Sequence, residues 1–231
     1  MKTIGLLGGT GWSSTLDYYK FLNEKVHQRL GGYHSANILL KSIDYHDIMS
    51  SYGKDHARIA QLLQQELEEL IKLEPDCILI CCNSLHKYYE MIKHKLRTTI
   101  PLIHAIELVA KKSKEKGYKH ILLLATKFTM EDGFFEKILE DQGLKVTIPN
   151  TQERQEIADI HEDLMKNYMT NSQKNYFKSL IEKYKDLDAV VLGCTEYPLV
   201  INDDISILPI LNPVHLQCEA AVEYSLGSYV I

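Results

Sequence analysis

The 231-residue chain contains no apolar run near the ~18 residues of a membrane span and no excess of positive charge, its formal net charge being −5. The first absence excludes a helical membrane protein. The second removes the basic footprint that nucleic-acid binding needs, because the lysines are scattered rather than striped. It also removes long-range attraction for an anionic substrate, so recognition of such a molecule has to be local. Met1-Lys2-Thr3-Ile4-Gly5-Leu6-Leu7-Gly8-Gly9 carries one basic residue and a short apolar stretch broken by glycines. That is not the long apolar core and small-residue cleavage site of a secretory signal, and a cytoplasmic location is expected. No G-x-G-x-x-G fingerprint accompanies the glycine turn, which argues against a dinucleotide site. No C-x₂-C spacing occurs, and adjacent cysteines on a strand diverge, so a zinc site from Cys81, Cys82, His86 and Cys194 is not expected. Five cysteines, an odd number, are read as reduced thiols rather than a disulfide framework. No low-complexity linker divides the chain.

What is present is an alternation of apolar strands and helices, the pattern of an α/β protein with parallel sheets. Strands are expected at Thr3–Leu7, Ala36–Leu40, the run before Cys82, Ile100–Ile103, His120–Leu124, Lys145–Ile148, the run before Cys194 and Ile207–Ile210. Between them the spacing predicts helices up to Leu30, over Asp55–Leu73 (an apolar face at Leu62, Leu63, Leu67 and Leu70), up to Lys95, and over Ala105–Lys116. Further helices are expected over Glu131–Asp141, Glu153–Asn167, Ser172–Lys185 and Val214–Leu226. Ser13, Ser14 or Thr15 is the expected cap of the first helix, and Ser42–Lys54 reads as a polar loop. Leu7 precedes Cys82 by 75 residues and Leu124 precedes Cys194 by 70. This internal echo predicts a duplicated unit, with residues 1–98 plus 212–231 forming one pseudo-symmetric domain and 99–211 the other.

Two stretches organise the chain, Ile78-Leu79-Ile80-Cys81-Cys82-Asn83-Ser84 and Val190-Val191-Leu192-Gly193-Cys194-Thr195-Glu196. Each is a short apolar run ending in a cysteine and a small polar residue, the signature of a buried parallel strand with a thiol at its carboxyl end. Ligands of open α/β sheets bind just beyond those ends. Overlaying the two runs pairs Cys82 with Cys194 and Cys81 with Gly193, which selects Cys82 over its neighbour. Both thiols precede an expected helix start, where the local field lowers a thiol pKa and unsatisfied backbone N–H groups accept a carboxylate. Two such ends facing across a cleft supply a base on either side of one carbon, as inversion of a stereocentre requires. Cys77, Cys81 and Cys218 are read as packing residues.

Gly5-Leu6-Leu7-Gly8-Gly9-Thr10-Gly11-Trp12, Cys82-Asn83-Ser84-Leu85-His86 and Gly193-Cys194-Thr195-Glu196 together resemble the three signatures of the aspartate/glutamate racemase family, in order and spacing over essentially the whole chain. The resemblance implies a pyridoxal-phosphate-independent amino-acid racemase with no cofactor and no metal, two pseudo-symmetric Rossmann-like domains with the active site in the cleft between them, and a homodimer. By position, Cys82 and Cys194 become the two bases, and Thr10, Trp12, Asn83, Ser84, Thr126 and Thr195 hold a small amino-acid substrate, aspartate or glutamate. His86, Glu196, Ser51 and Lys166 are supporting candidates, with Lys127 a further possible contributor. Glu196 and Gly8-Gly9-Thr10 stand where cell-wall glutamate racemases carry histidine and an Asp-Ser-Gly opening, which favours the aspartate or broad-specificity branch. Ser84 replaces the usual threonine and keeps its hydroxyl. The arginine that archaeal aspartate racemases carry after the second strand is replaced around Tyr45–His46. The alternatives within the wider superfamily are a decarboxylase, a maleate isomerase or a hydantoin racemase. Outside enzymology, the alternative is a small-acid-binding protein.

Overall fold

The computed structural model describes residues 1–166 and 168–227. The elements run β1 (Ile4–Gly8), α1 (Trp12–Leu30), β2 (Ile38–Ser42), α2 (His46–Ser51), α3 (His56–Ile71), β3 (Cys77–Ile80), α4 (Leu85–Ile92), α5 (Ala105–Lys116), β4 (His120–Leu124), α6 (Lys127–Asp132), α7 (Phe134–Glu140), β5 (Lys145–Thr147), α8 (Thr151–Met165), α9 (Asn171–Lys183), β6 (Ala189–Leu192), β7 (Ile210–Leu211) and α10 (Pro213–Ser225). This is the expected α/β alternation, and every strand pairing among the described residues is parallel. No helix of the described residues is long and apolar enough to cross a membrane. The chain divides into two compact units, Met1–Ala105 with Val214–Ile231, and Ile106–Pro213.

In the first unit the strand order is β2-β1-β3, and Leu102 bridges Ile78 as a short parallel addition beside β3. The strand expected at Ile100–Ile103 is thus reduced to one bridge, held by Ile78 N–H to the Pro101 carbonyl and Ile103 N–H to the Ile78 carbonyl, both 2.9 Å. Ile59, Leu63, Leu67 and Leu70 of α3 are fully buried and pack with Leu7, Ile80, Leu85 and Tyr88. Burial of each such leucine contributes about 2 kcal/mol. Asp55 caps α3 by accepting the Arg58 N–H, as the loop-to-helix transition in the sequence required. The unit is completed from the far end of the chain. Gln217 of α10 accepts the Tyr18 hydroxyl at 2.6 Å and donates to the Ile103 carbonyl at 2.6 Å, while Lys2 N–H meets the Ser225 carbonyl.

The second unit carries the order β5-β4-β6-β7. Full capping boxes start α8 and α9, with Asn150 and Glu153 at one and Thr170 and Gln173 at the other. The expected α8 end at Asn167 lies outside the described residues.

Local departures have local causes. Gly11, at φ 105°, is the residue before α1, so the helix starts at Trp12 and the three expected caps lie inside it. Thr15 serves the turn another way, its Oγ1 accepting the Gly9 N–H at 2.9 Å. The supposed polar loop contains α2. The helix expected at Glu131–Asp141 is two helices joined at Gly133, whose φ of 80° interrupts the ladder.

Candidate active site

The two sheets present their cysteines in matching register. Ile80 pairs with Leu7, and the following Cys81 N–H donates to the Leu7 carbonyl at 2.9 Å. Leu192 pairs with Leu124, and the following Gly193 N–H donates to the Leu124 carbonyl at 2.7 Å. Cys82 and Cys194 are each the next residue, just past the carboxyl end of a strand beside the first strand of its unit. The pairing of Cys81 with Gly193 has a packing reason. Cys81 is buried in the first unit, whereas a Cβ at Gly193 would stand 2.9 Å from Ala125 Cβ and 3.0 Å from Leu123 Cδ1.

Around Cys82 the surroundings are hydroxyls. Its sulfur lies 3.2 Å from Ser84 Oγ and 3.8 Å from Tyr45 Oη. Tyr52 Oη is 2.8 Å from Ser84 Oγ, and Tyr45 donates to Tyr52 at 3.1 Å. With Tyr45 donating to Tyr52, the Tyr52 hydroxyl can donate to Ser84 and the Ser84 hydroxyl to the sulfur. Burial pushes both phenols above the ordinary tyrosine value, with Cys82 nearby adding to the shift. They stay protonated and remain donors. Ser84 precedes α4, but its hydroxyl makes no cap bond to that helix.

Thr10 and His86 hold the same strand end. Thr10 Oγ1 donates to the Cys81 carbonyl at 3.2 Å. His86 Nε2 accepts the Ala105 N–H at 3.3 Å, so the ring proton sits on Nδ1 and is donated to the Cys82 carbonyl at 3.1 Å. Burial lowers the His86 pKa to about 4, which keeps the ring neutral in this tautomer. Asn83 is buried at the start of the α4 turn, whereas Trp12 opens α1 with 68% of its surface exposed. Ser51 lies on α2, its hydroxyl donating to the Asp47 carbonyl at 2.8 Å.

Around Cys194 the chemistry differs. The thiol donates to Glu196 Oε2 at 2.9 Å, and Thr195 Oγ1 donates to the same oxygen at 2.8 Å. His161 of α8 places Nε2 3.9 Å from that oxygen. Burial lowers the His161 pKa and the Glu196 carboxylate opposes that shift. The helix expected after Cys194 is a single 3₁₀ turn, Tyr197–Leu199, with Pro198 in it. What this thiol meets is therefore not an α-helix terminus but the Glu196 carboxylate that accepts its hydrogen. Tyr197, fully buried, anchors the turn by donating to the Ala125 carbonyl at 2.9 Å.

Thr126 caps α6, its Oγ1 accepting the Thr129 N–H at 3.2 Å and donating to Thr129 Oγ1 at 2.9 Å. Lys127 Nζ is engaged by Gln155 Oε1 at 2.8 Å, and Lys166 is exposed at the end of α8. The remaining cysteines are packing residues. Burial raises the pKa of Cys77 to about 12 and lifts Cys81 and Cys218 as well. Tyr52 and His161, each in direct contact with a cysteine's partner, carry no motif and were invisible in the sequence.

A family model described as Asp/Glu/Hydantoin racemase matches residues 7–221. The broad specificity amino-acid racemase RacX of Bacillus subtilis is 25% identical over 221 residues, covering 90% of this chain and 92% of that one. Among solved structures, a proposed Asp/Glu racemase from Yersinia pestis is similar at a TM-score of 0.89 and 32% identity, over 98% of this chain and 100% of that chain. An aspartate racemase homologue from Pyrococcus horikoshii gives 0.86 and 28%, over 98% and 100%. With nearly the whole chain matched, both cysteine-bearing strand ends included, the protein belongs to the Asp/Glu/hydantoin racemase family, whose racemases are isomerases.

Proposed function

We propose that the protein is a cofactor-independent amino-acid racemase, interconverting the L and D forms of aspartate, glutamate or both, with Cys82 and Cys194 as the two bases. The observation that supports this best is the equivalence of the two thiols. Each follows its strand by the same register, and each is served by proton-handling groups of its own unit. In one direction a thiolate at one cysteine removes the Cα proton, and the thiol of the other delivers its proton to the opposite face. Two sulfurs then exchange roles, and atoms and charge balance with no external reagent. Each sulfur has to approach Cα to ~3–3.5 Å. Glu196 takes the Cys194 proton, and the Tyr45–Tyr52–Ser84 chain points its hydrogens at Cys82. The N–H groups opening α4, with Asn83 and the hydroxyls of Thr10, Thr126 and Thr195, are the proposed carboxylate donors.

Tyr45 stands where archaeal aspartate racemases carry an arginine, and Tyr52 is hydrogen-bonded to Tyr45. Neutral phenols there accept a wider range of side chains than a guanidinium does, which fits a broad substrate range, and RacX is itself a broad-specificity enzyme. The proposal carries a homodimer with it, for which Trp12, Leu16 and Tyr19 offer an exposed apolar stripe along α1. It also needs reduced thiols, which fits a cytoplasmic setting.

Chiral chromatography of a panel of L and D amino acids, with no cofactor added, tests the activity. Cys82→Ser and Cys194→Ser should each lower racemisation by ~10²–10⁴-fold or more. Each single variant should still exchange the Cα hydrogen of one enantiomer with deuterated solvent, revealing which face the surviving thiol serves. Racemisation that persists in the double serine variant overturns the assignment.

A further inference from the structure

His161, Cys194 and Glu196 bring an imidazole nitrogen, a sulfur and a carboxylate oxygen within 4.8 Å of one another. All three belong to the second unit, and two of them are held by its sheet. Cys194 and Glu196 follow β6 directly, pinned by the Gly193 N–H on the Leu124 carbonyl and by Tyr197 on the Ala125 carbonyl. His161 comes from α8 and lies edge-on against the Tyr197 ring, with centroids 6.2 Å apart and planes at 90°. We propose that this cluster is a binding site for a zinc-class divalent cation, and that the ion inhibits the enzyme by capturing Cys194.

The donor set chooses the ion. One thiolate, one imidazole and one carboxylate form the borderline-soft combination that zinc takes, with a fourth position left for water or substrate. Magnesium and calcium require oxygen ligands and are excluded. Bonds of ~2.3 Å to sulfur and ~2.0–2.2 Å to nitrogen and oxygen place the donor atoms of a tetrahedral site roughly 3.3–3.6 Å from one another. The 2.9 Å Cys194–Glu196 contact has to open by about half an ångström. His161 has to swing inward by about half an ångström from its present 3.9 Å to Glu196, and by up to about an ångström toward the sulfur, which lies within 4.8 Å. Side-chain torsions supply both movements. On binding, the Sγ–metal bond forms, the thiol proton leaves to solvent, and nothing is oxidised or reduced.

The groups around the other candidate base, Cys82, are the hydroxyls of Ser84, Tyr45 and Tyr52, which are poor zinc ligands. Capture is therefore one-sided. The binding claim stands on the cluster alone, while the inhibition claim rests on the racemase reading.

Metal-stripped protein in a non-chelating reductant is titrated with Co²⁺ and then with Zn²⁺. The expected result is one equivalent of tetrahedral cobalt with a sulfur-to-cobalt charge-transfer band, displaced by zinc. The band is lost in Cys194→Ser and kept in Cys82→Ser. Affinity falls in His161→Gln, with unchanged circular dichroism, by more than the ~10–100-fold typical of losing a supporting contact. Racemisation falls as zinc fills the site and returns on chelation. A wild-type protein that racemises but shows no thiolate–cobalt band overturns the site, as does a band that survives Cys194→Ser. A stoichiometric band with the expected variant pattern, in a protein that racemises nothing, leaves the metal site standing and overturns the racemase reading.

Discussion

Ser84 sits between a tyrosine and a sulfur, 2.8 Å from one and 3.2 Å from the other, and that position decides what its hydroxyl is worth. A hydrogen bond to a charged partner contributes ~1.5–3 kcal/mol, equivalent to about 10–100-fold in rate where the thiolate is the reacting species. Ser84→Ala and Tyr52→Phe are accordingly expected to lower kcat/KM by ~10–100-fold with circular dichroism unchanged, whereas Ser84→Thr, which keeps the oxygen, retains most of the activity. Steady-state racemisation kinetics check this. The two sulfurs were legible in the sequence because strand ends and small polar followers mark them. Tyr52 and His161 were not, since the end of α2 and the body of α8 bring them to Ser84 and Glu196 through tertiary packing that leaves no local pattern. Glu196 was legible as a neighbour but not as the hydrogen-bond acceptor of the Cys194 thiol, because side-chain direction at the residue before a 3₁₀ turn does not follow from composition.

At the scale of elements, the glycines at strand ends carry unequal burdens. Gly9 holds φ at 85°, and a Cβ there would sit on the Ile43 backbone, which cannot yield like a side chain. Gly193 has an ordinary φ, and its added Cβ meets the Ala125 and Leu123 side chains at 2.9 and 3.0 Å. Gly193→Ala should cost ~1–3 kcal/mol, as overpacking does. Gly9→Ala should cost more, since strained backbone adds to the clash. Urea unfolding of the two variants gives the order, and a less stable Gly193→Ala would refute it. Most strands and helices could be read from apolar runs, but α2 lay in a stretch read as a polar loop, the Ile100–Ile103 strand is a single bridge and a 3₁₀ turn stands where a helix was expected after Cys194. Boundaries failed where one glycine acts alone, as Gly133 does in parting α6 from α7.

Taken whole, the molecule hides two neutral imidazoles in its first unit. Burial lowers His86 to about 4 and His104 to about 2, and their rings meet edge-on with centroids 4.4 Å apart. An unfolded chain protonates both near pH 6.5. Between there and the depressed folded values the unfolded state holds more protons, so stability declines as pH falls through that window. From pH 7 to pH 4 the loss is on the order of a few kcal/mol per histidine. Urea midpoints should therefore drop between pH 7 and pH 5, and by less in His104→Phe. A pH-independent midpoint would contradict the burial argument. The parallel α/β class was plain from the alternation of runs. The completion of the first unit by α10 depends on Tyr18, Ile103 and Gln217, residues far apart in sequence whose contacts leave no periodic trace.

That returning helix sets an order of birth. Residues Ile106–Pro213 form a continuous segment and have every strand of their sheet once the ribosome has released them. The Cys82 half, though translated first, lacks its Tyr18 and Ile103 partner until α10 emerges. This connectivity predicts the reverse of the usual order, in which domains fold from the amino terminus onward. A nascent chain stalled before residue 213 would carry a complete second half and an incomplete first, with Tyr18 and Phe21 still without their α10 partners.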